Sequence, residues 1–483
     1  MSAAADLLGV TEETFKMIKA TVQNGWLTGL GVQGVDLGDL ISLVPVVTPF
    51  RNATPRVKPP QGANVAYWRA LLDVTNAQPN PAVGNDFAGG LVEFEEQDVF
   101  APFVPLRLTG RVTQDAIDIA EGYENALAVA TMQTVNQLMI GEDKHGLMGQ
   151  AYALPAIATP GLTVSATGGS IGTAAVNVKV AARSGINYYY GGSGIASAQA
   201  SVTPTAGTTN SVTATVAAVK GAVAYDWYVA GFYYTTTTVN TVVITSIPTA
   251  NQPLPSLPDL SATAPTAVPT ADTSFSANYF NGLIASVLGD FGPTSMVTPG
   301  TGTNSGSYYA SLDGAALAVN GAAIAQVDAM NLAIWNKAKL SPTRYLMNAT
   351  QSQEIANDIL GSTAATTFLQ PQDIESRQNV VAGGALGWYL NKAVGGAAIR
   401  VEVHPNVPPG TLIAVTDKIP YPGANIDAPM RFRVQRDYSQ FAYGANFVAG
   451  TLGGGPRQDF DVTVRETFEL KAPLTCGVLS NVG

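Results

Sequence analysis

Residues 106–149, LRLTGRVTQDAIDIAEGYENALAVATMQTVNQLMIGEDKHGLMG, decide how the rest of the chain is read. The stretch opens with strand-like alternation and reaches Thr113, whose hydroxyl suits a helix N-cap. Asp115, Asp118 and Glu121 follow, acids placed where the positive end of a helix dipole favours them. From Tyr123 the apolar or small residues Tyr123, Leu127, Ala130, Thr134 and Leu138 recur at three- and four-residue steps, and Ala128, Met132, Val135 and Met139 trace an adjoining stripe. This spacing predicts a long helix whose wide apolar face needs cover on most sides. Gly141 is the expected stop, with Glu142, Asp143, Lys144, His145 and Gly146 forming a charged turn after it.

Composition narrows the class. The chain has 483 residues, 46% of them hydrophobic and 12% charged, with 49 glycines and 30 prolines. That length allows two or three domains, and the apolar share is ample for buried cores. The charged fraction is about half the usual proportion, which leaves large neutral surfaces of the kind that meet other protein. A formal charge of -10 with no basic run argues against a dedicated nucleic-acid binder, because phosphate contacts need clustered Lys and Arg. Cys476 is the single cysteine, which excludes an intramolecular disulfide and a thiolate metal site and makes reducing cytoplasm the natural setting. The first residues lack the basic and apolar segments of a signal peptide, and no apolar run approaches the ~18 residues of a membrane span.

Upstream of the long helix, residues 1–54 read as a short helix begun by Thr11, Glu12 and Glu13, then an extended arm. In that arm Leu40, Ile41, Leu43 and Val44 are too apolar to sit in water and should dock on the chain's own core or on a neighbour. Residues 55–105 read as a long β-hairpin, with one arm at 65–72, carrying Trp68 and Arg69, and the return at 91–95 and 99–104. Glu93, Glu95, Glu96 and Asp98 lie partly to one side of it. The connection at 76–90 is rich in Pro, Asn, Gly and Asp. An isolated hairpin is marginal in water, so one this long should be stabilised by a partner surface.

After Gly149 the chain becomes Thr-, Val-, Ala-, Gly- and Ser-rich, and short alternating runs at 162–165, 176–180, 211–216 and 241–245 indicate an all-β sandwich. The run GAVAYDWYVA at 221–230 is similar to one strand of fibronectin-type-III-like or bacterial immunoglobulin-like domains. Pro248, Pro253, Pro255, Pro258, Pro265 and Pro269 then read as a semi-rigid extended linker, so this module is expected to be an insertion. The main domain resumes near Phe275, with helices expected at 279–288, 321–339 and 350–360 and a strand at 342–348. Two strands joined by a Pro-Gly turn are expected within 398–415, and a closing strand at 460–470.

This order of elements, with Glu142 and Asp143 followed by Gly146, Leu147, Met148 and Gly149 at the end of a long helix, resembles the major capsid proteins of tailed bacteriophages, an α+β fold. The resemblance rests on element order and short patterns and covers nearly all of the chain outside the insert. It implies an N-terminal arm at 1–54 crossing onto adjacent subunits, an E-loop hairpin at 55–105, and a peripheral domain with its spine helix at 106–152. An immunoglobulin-like β-sandwich with its Pro-rich linker would be inserted at 153–272. The peripheral domain would continue at 273–345, an axial domain would occupy 346–428, and 429–483 would return to the peripheral domain.

Candidate chemistry is sparse. Gly168, Ser170 and Gly172 fit the G-x-S-x-G elbow of serine hydrolases, but that elbow needs a helix after it and β-like residues 176–180 follow. His145 and His404 are the only histidines, and both read as structural. Asp115, Asp118, Glu121 and Glu124 recur at three-residue steps and drift off one helix face, so a solvated acidic face is expected instead of a cation site. Glu93, Glu95, Glu96 and Asp98 read as an inter-subunit electrostatic contact in preference to a glycosidase pair. Gly300, Gly302 and Gly306 miss the dinucleotide-binding spacing and no Lys-Ser/Thr follows them, so no phosphate loop is expected. No enzyme, cofactor or metal is expected.

The function the resemblance implies is self-assembly, as hexamers and pentamers, into an icosahedral virion shell around double-stranded DNA, built in the host cytoplasm. A low-charge, net-acidic wall would not trap the DNA inside it. Portal, decoration and scaffolding proteins are the implied partners; the chain begins at Met1, so scaffolding is expected as a separate protein. Inter-subunit contact candidates are Leu43, Val44, Lys58, Trp68, Arg69, Glu93, Glu95 and Glu96, with Lys58 also considered for a cross-subunit isopeptide bond, as in some relatives. The insert would face outward and meet glycans or host surfaces through Tyr188, Tyr189, Tyr190, Tyr233 and Tyr234. Two alternatives stay open: an encapsulin-like shell around enzyme cargo, and a monomeric β-rich adhesin or sugar-binding protein.

Overall fold

The computed structural model describes residues 47–60, 62–74, 95–120, 125–261, 263–291, 297–298, 306–320, 323–361, 387–419, 428–443 and 457–483. Leu43, Val44, Glu93, the helix expected from Thr11 and the hairpin connection at 76–90 lie outside the described residues. Contacts group the chain into two compact units, one holding Pro105–Glu142 and Arg436–Arg465, the other Pro49–Val104, Asp143–Gln435 and Glu466–Gly483.

In the first unit the expected single helix begins as two. Thr113 caps the short helix Gln114–Ala120, its Oγ1 accepting the Ala116 N–H at 3.4 Å. Asn125 caps the long helix Ala126–Met148, its Oδ1 accepting the Ala128 N–H at 3.0 Å. The expected stop at Gly141 is overturned: the helix runs on through Glu142 and Asp143 to Met148. A carboxylate pair looks like a terminus because it needs partners, and the Glu142 carboxylate finds one in the Tyr438 hydroxyl. The strand Val104–Thr113 carries Thr109, which donates to Asp461 at 2.7 Å, and Arg111, which donates to Asp459 at 2.8 Å. The Phe460 ring fills the space where a side chain at Gly110 would stand.

The second unit holds a two-stranded hairpin, a six-stranded sheet and the β-rich segment. Along the six-stranded sheet the order is Tyr308–Ser311, Gly477–Ser480, Leu412–Val415, Arg344–Met347, Ala397–Val403 and Trp388–Asn391. The helix Ala325–Ala338 shares its core, with Met330 and Ile334 against Tyr345, Ile399, Leu412 and Leu479. The strands expected within 398–415 are not neighbours. Arg344–Met347 lies between them, parallel to Ala397–Val403 and antiparallel to Leu412–Val415.

The β-rich segment folds as two antiparallel sheets on one core. One has the order Phe232–Thr237, Ala222–Val229, Val176–Ser184 and Ala200–Val202; the other has Thr241–Ile244, Ser211–Thr215 and Gly161–Ser165. Trp227, Val178 and Val180 from the first meet Val212, Ala214 and Ile244 from the second. Arg183 and Asp226 are buried together beside this core, Nε to Oδ2 at 2.7 Å. The Pro-rich stretch is no free linker. It lies along the segment, where Pro258 accepts the Tyr188 hydroxyl at 2.6 Å and Pro269 accepts the Ala196 N–H at 3.2 Å.

Candidate functional site: the hairpin face and the buried end of the long helix

The strand Val65–Asp73 alternates between exposed and buried because its side chains do: Ala66, Trp68, Ala70 and Leu72 point inward, and Val65, Tyr67 and Arg69 outward. It pairs antiparallel with Glu95–Pro102, setting Tyr67 opposite Phe100 and Arg69 opposite Asp98. The inward residues close on Val99 and Phe103. Trp68 is locked there, its Nε1–H donating to the Leu470 carbonyl at 3.0 Å, and the Leu71 N–H donates to the Lys471 carbonyl at 2.7 Å. On the outer face Tyr67 is 60% exposed and Val65 44%. Arg69 lies among acids, donating to Asp98 at 3.1 Å and Glu96 at 3.2 Å. These exposed pairs are worth little to the fold itself.

The last turns of the long helix are buried. Asp143 accepts the Arg51 backbone N–H at 2.8 Å and the Asn406 side-chain amide at 2.6 Å, and His404 Nε2 stands 3.4 Å from its carboxylate. Burial raises the Asp143 carboxyl to a pKa of about 6, against the pull of those donors. It lowers His404 to about 3, helped by the Arg344 charge, so the ring stays neutral and Nδ1 accepts the Asn406 backbone N–H at 3.0 Å. His145 is lowered to about 4 by burial and is ringed by Tyr190, Tyr279 and Phe280. The glycines that follow serve close packing: the Phe432 and Phe50 rings occupy the space beside Gly146, and Gly149 meets the Phe280 carbonyl.

No protein-family model matches the chain, and no curated protein does. In solved structures it is similar to the capsid of cyanophage A-1(L), at 12% identity over 94% of this chain and 97% of that one with a TM-score of 0.44. It is similar as well to the capsid of a native GTA particle, at 8% identity over 94% and 99% with a TM-score of 0.41. A third likeness is to the SrpI encapsulin complex of Synechococcus elongatus, at 7% identity over 92% and 90% with a TM-score of 0.35.

The contact candidates divide. Arg69, Glu95, Glu96 and Lys58 are exposed, but Trp68 is not a surface residue; strand alternation turns it into its own core. Of the five tyrosines, Tyr188, Tyr189 and Tyr233 are buried and cannot present a ligand surface. Tyr188 and Tyr189 lie in the helix Gly185–Tyr190, where backbone carbonyls of Pro258 and Asn406 take their hydroxyls, and Tyr233 points into the segment toward Thr236. Tyr190 is exposed and Tyr234 partly so. Ser170, after Gly168 and Gly169, lies in the irregular stretch between two strands, its N–H donating to the Thr245 carbonyl at 2.7 Å. His404 and Asn406 are the network members that sequence reasoning missed as partners of Asp143; the Pro-bounded turn around them was the available signal.

Among the described residues no group of three His, Cys, Asp or Glu side chains is placed to hold a metal ion, and no helix is long and apolar enough to cross a membrane. The strand Trp388–Asn391, at the edge of its sheet among the described residues, is a further surface that the sequence reading does not name: Trp388 and Leu390 are each 62% exposed.

Proposed function

We propose that this chain is the major capsid protein of a tailed double-stranded DNA bacteriophage, assembling as hexamers and pentamers into an icosahedral shell. The observation that carries the reading is the long helix. Apolar residues ring its circumference, yet among the described residues of the helix full burial begins only at Leu138, and Met132 stays exposed. A helix apolar all round belongs inside protein, and further subunits supply that cover. The outward hairpin face, with Tyr67 and Val65 in water, supports the same reading. In this role the hairpin is the E-loop and the long helix the spine. The β-rich segment is an immunoglobulin-like insert on the outer surface, open to glycan or host contact. The shell joins a portal, with separate scaffolding or decoration proteins, and encloses DNA without sequence-specific contacts. Its net acidic composition suits a wall that does not hold the packaged phosphates.

Negative-stain electron microscopy with size-exclusion chromatography tests this. Rings or closed shells are expected; a persistent monomer under assembly-permissive salt and concentration would remove the reading. Particles filled with protein cargo in place of DNA would move it to an encapsulin-type compartment. The burial of Tyr188, Tyr189 and Tyr233 takes away most of the aromatic surface a sugar-binding monomer would have used.

A further inference from the structure

We infer that the outward face of the hairpin on one subunit docks on the outward face of the strand pair Trp388–Asn391 and Ala397–Val403 of a second copy. The inference rests on the shell reading and names the surfaces that one of its contacts uses.

The receiving face is built, not incidental. Among the described residues Trp388–Asn391 is the last strand of its sheet, and its antiparallel register sets Trp388 opposite Arg400 and Leu390 opposite Ala398 on one side. Tyr389, between the two exposed residues, fixes that register. It is buried, and its hydroxyl donates to Asp328 Oδ1 at 2.6 Å. With a side-chain period of two, anchoring Tyr389 inward forces Trp388 and Leu390 outward. Two large apolar side chains held in water at a sheet edge form a surface of the kind that protein partners cover.

The hairpin offers the complement. Trp68, locked inward, forces Tyr67 and Arg69 outward in the same way. Its outer rim sets Glu95, Glu96 and Asp98 against Arg69, a net of -2 for these four described residues. On the receiving face Arg400 is the outward charge; of its neighbours, Glu402 faces Arg344 at 3.3 Å and Lys392 faces Asp328 at 3.4 Å. An acidic aromatic strip thus matches a basic aromatic one. Both strips stay exposed in the same molecule, so neither covers the other within a chain. A contact between two different faces is heterologous. It propagates from copy to copy and closes as a ring or shell, where a self-complementary face would stop at a dimer.

The test is charge exchange on the full chain, read as the protein concentration at which particles appear. Arg400→Glu and the pair Glu96→Lys with Asp98→Lys should each raise that threshold about tenfold, and one chain carrying all three changes should recover it. Melting of the unassembled chain should be unchanged, since these side chains are exposed. A threshold unmoved by Arg400→Glu and by Trp388→Ser, with normal particles, would overturn the docking and leave the shell reading standing. Failure of the unaltered chain to assemble at all would remove both.

Discussion

Asn406 donates through Nδ2 to Oδ2 of Asp143 at 2.6 Å although 263 positions separate them. The same carboxylate accepts the Arg51 N–H, so the helix Pro49–Ala53, the last turns of the long helix and the turn after Ala397–Val403 meet at one buried group. Asn406→Ala removes a donor and leaves a buried oxygen short of a partner, which costs about 1–3 kcal/mol. Denaturant unfolding measures it. A loss within about 0.5 kcal/mol, the usual range for surface changes, would show that the junction does not hold these segments together.

Protonation of the same junction gives a pH dependence with two opposed parts. His404 and His145 lie at about 3 and about 4, below their ordinary 6.5, because burial disfavours the charged ring. Their contribution is complete above pH 6.5 and is lost as pH falls toward those values. Asp143 is raised from 3.8 to about 6, so it contributes stability that is complete below 3.8 and lost as pH rises through 6. Between pH 6 and 4 two rings lose what one carboxyl partly returns. Asp143→Asn removes the return, and the acid-side fall in unfolding free energy should steepen by about 1.4 kcal/mol per pH unit. A slope equal to that of the unaltered chain would show Asp143 already ionised through that window.

Local pattern carried the hairpin and the start of the helical segment. Period-two alternation around Trp68 and the Thr113 cap are contained within a few residues, and both appear where the sequence places them, although Thr113 caps only the short helix Gln114–Ala120 and the long helix begins anew at the Asn125 cap. The helix end was not legible, because what keeps Glu142 and Asp143 helical is Tyr438 and Asn406, far along the chain. Nor does any short stretch state that Arg344–Met347 separates the two strands after it, since parallel and antiparallel pairing share one local alternation. Tyr188 and Tyr189 read as surface for the same reason: Pro258 and Asn406, which take their hydroxyls, lie 70 and 217 positions away.

Two glycines near the end of the long helix should respond to alanine with opposite signs. A Cβ at Gly141 meets nothing within 4 Å, so Gly141→Ala should stabilise by about 0.5–1 kcal/mol through helix propensity. Gly149 has no such room: its N–H donates to the His145 carbonyl at 2.8 Å, its carbonyl accepts from Gly282, and a Cβ would run into the backbone carbonyls of Phe280 and His145. Gly149→Ala should destabilise by about 1–3 kcal/mol, the cost of overpacking. Thermal melts of the two variants that move in the same direction would contradict this packing.

The buried pair in the β-rich segment predicts strong non-additivity. Asp226 is held by Arg183 and by the Thr236 hydroxyl at 2.6 Å, and burial raises its pKa against the pull of the guanidinium. Arg183→Met strands the carboxylate in the interior and should cost about 3–5 kcal/mol. Arg183→Met with Asp226→Leu removes both charges and should recover most of that loss. Equal penalties for the single and double variants would place the cost in lost packing volume.

Adjacent residues on the hairpin separate stability from assembly. Trp68 and Tyr67 differ only in which side of the strand they occupy: one is buried and bonded to the Leu470 carbonyl, the other is in water. Trp68→Ala should therefore cost about 3–5 kcal/mol of folding stability, the range for emptying a large aromatic site. Tyr67→Ala should leave folding within about 0.5 kcal/mol and, on the docking inferred above, raise the concentration needed for assembly. Melting and particle counts on both variants decide the matter. If Tyr67→Ala unfolds as readily as Trp68→Ala, the outer face is part of the fold; if it assembles at the unaltered threshold, the contact lies elsewhere on the surface.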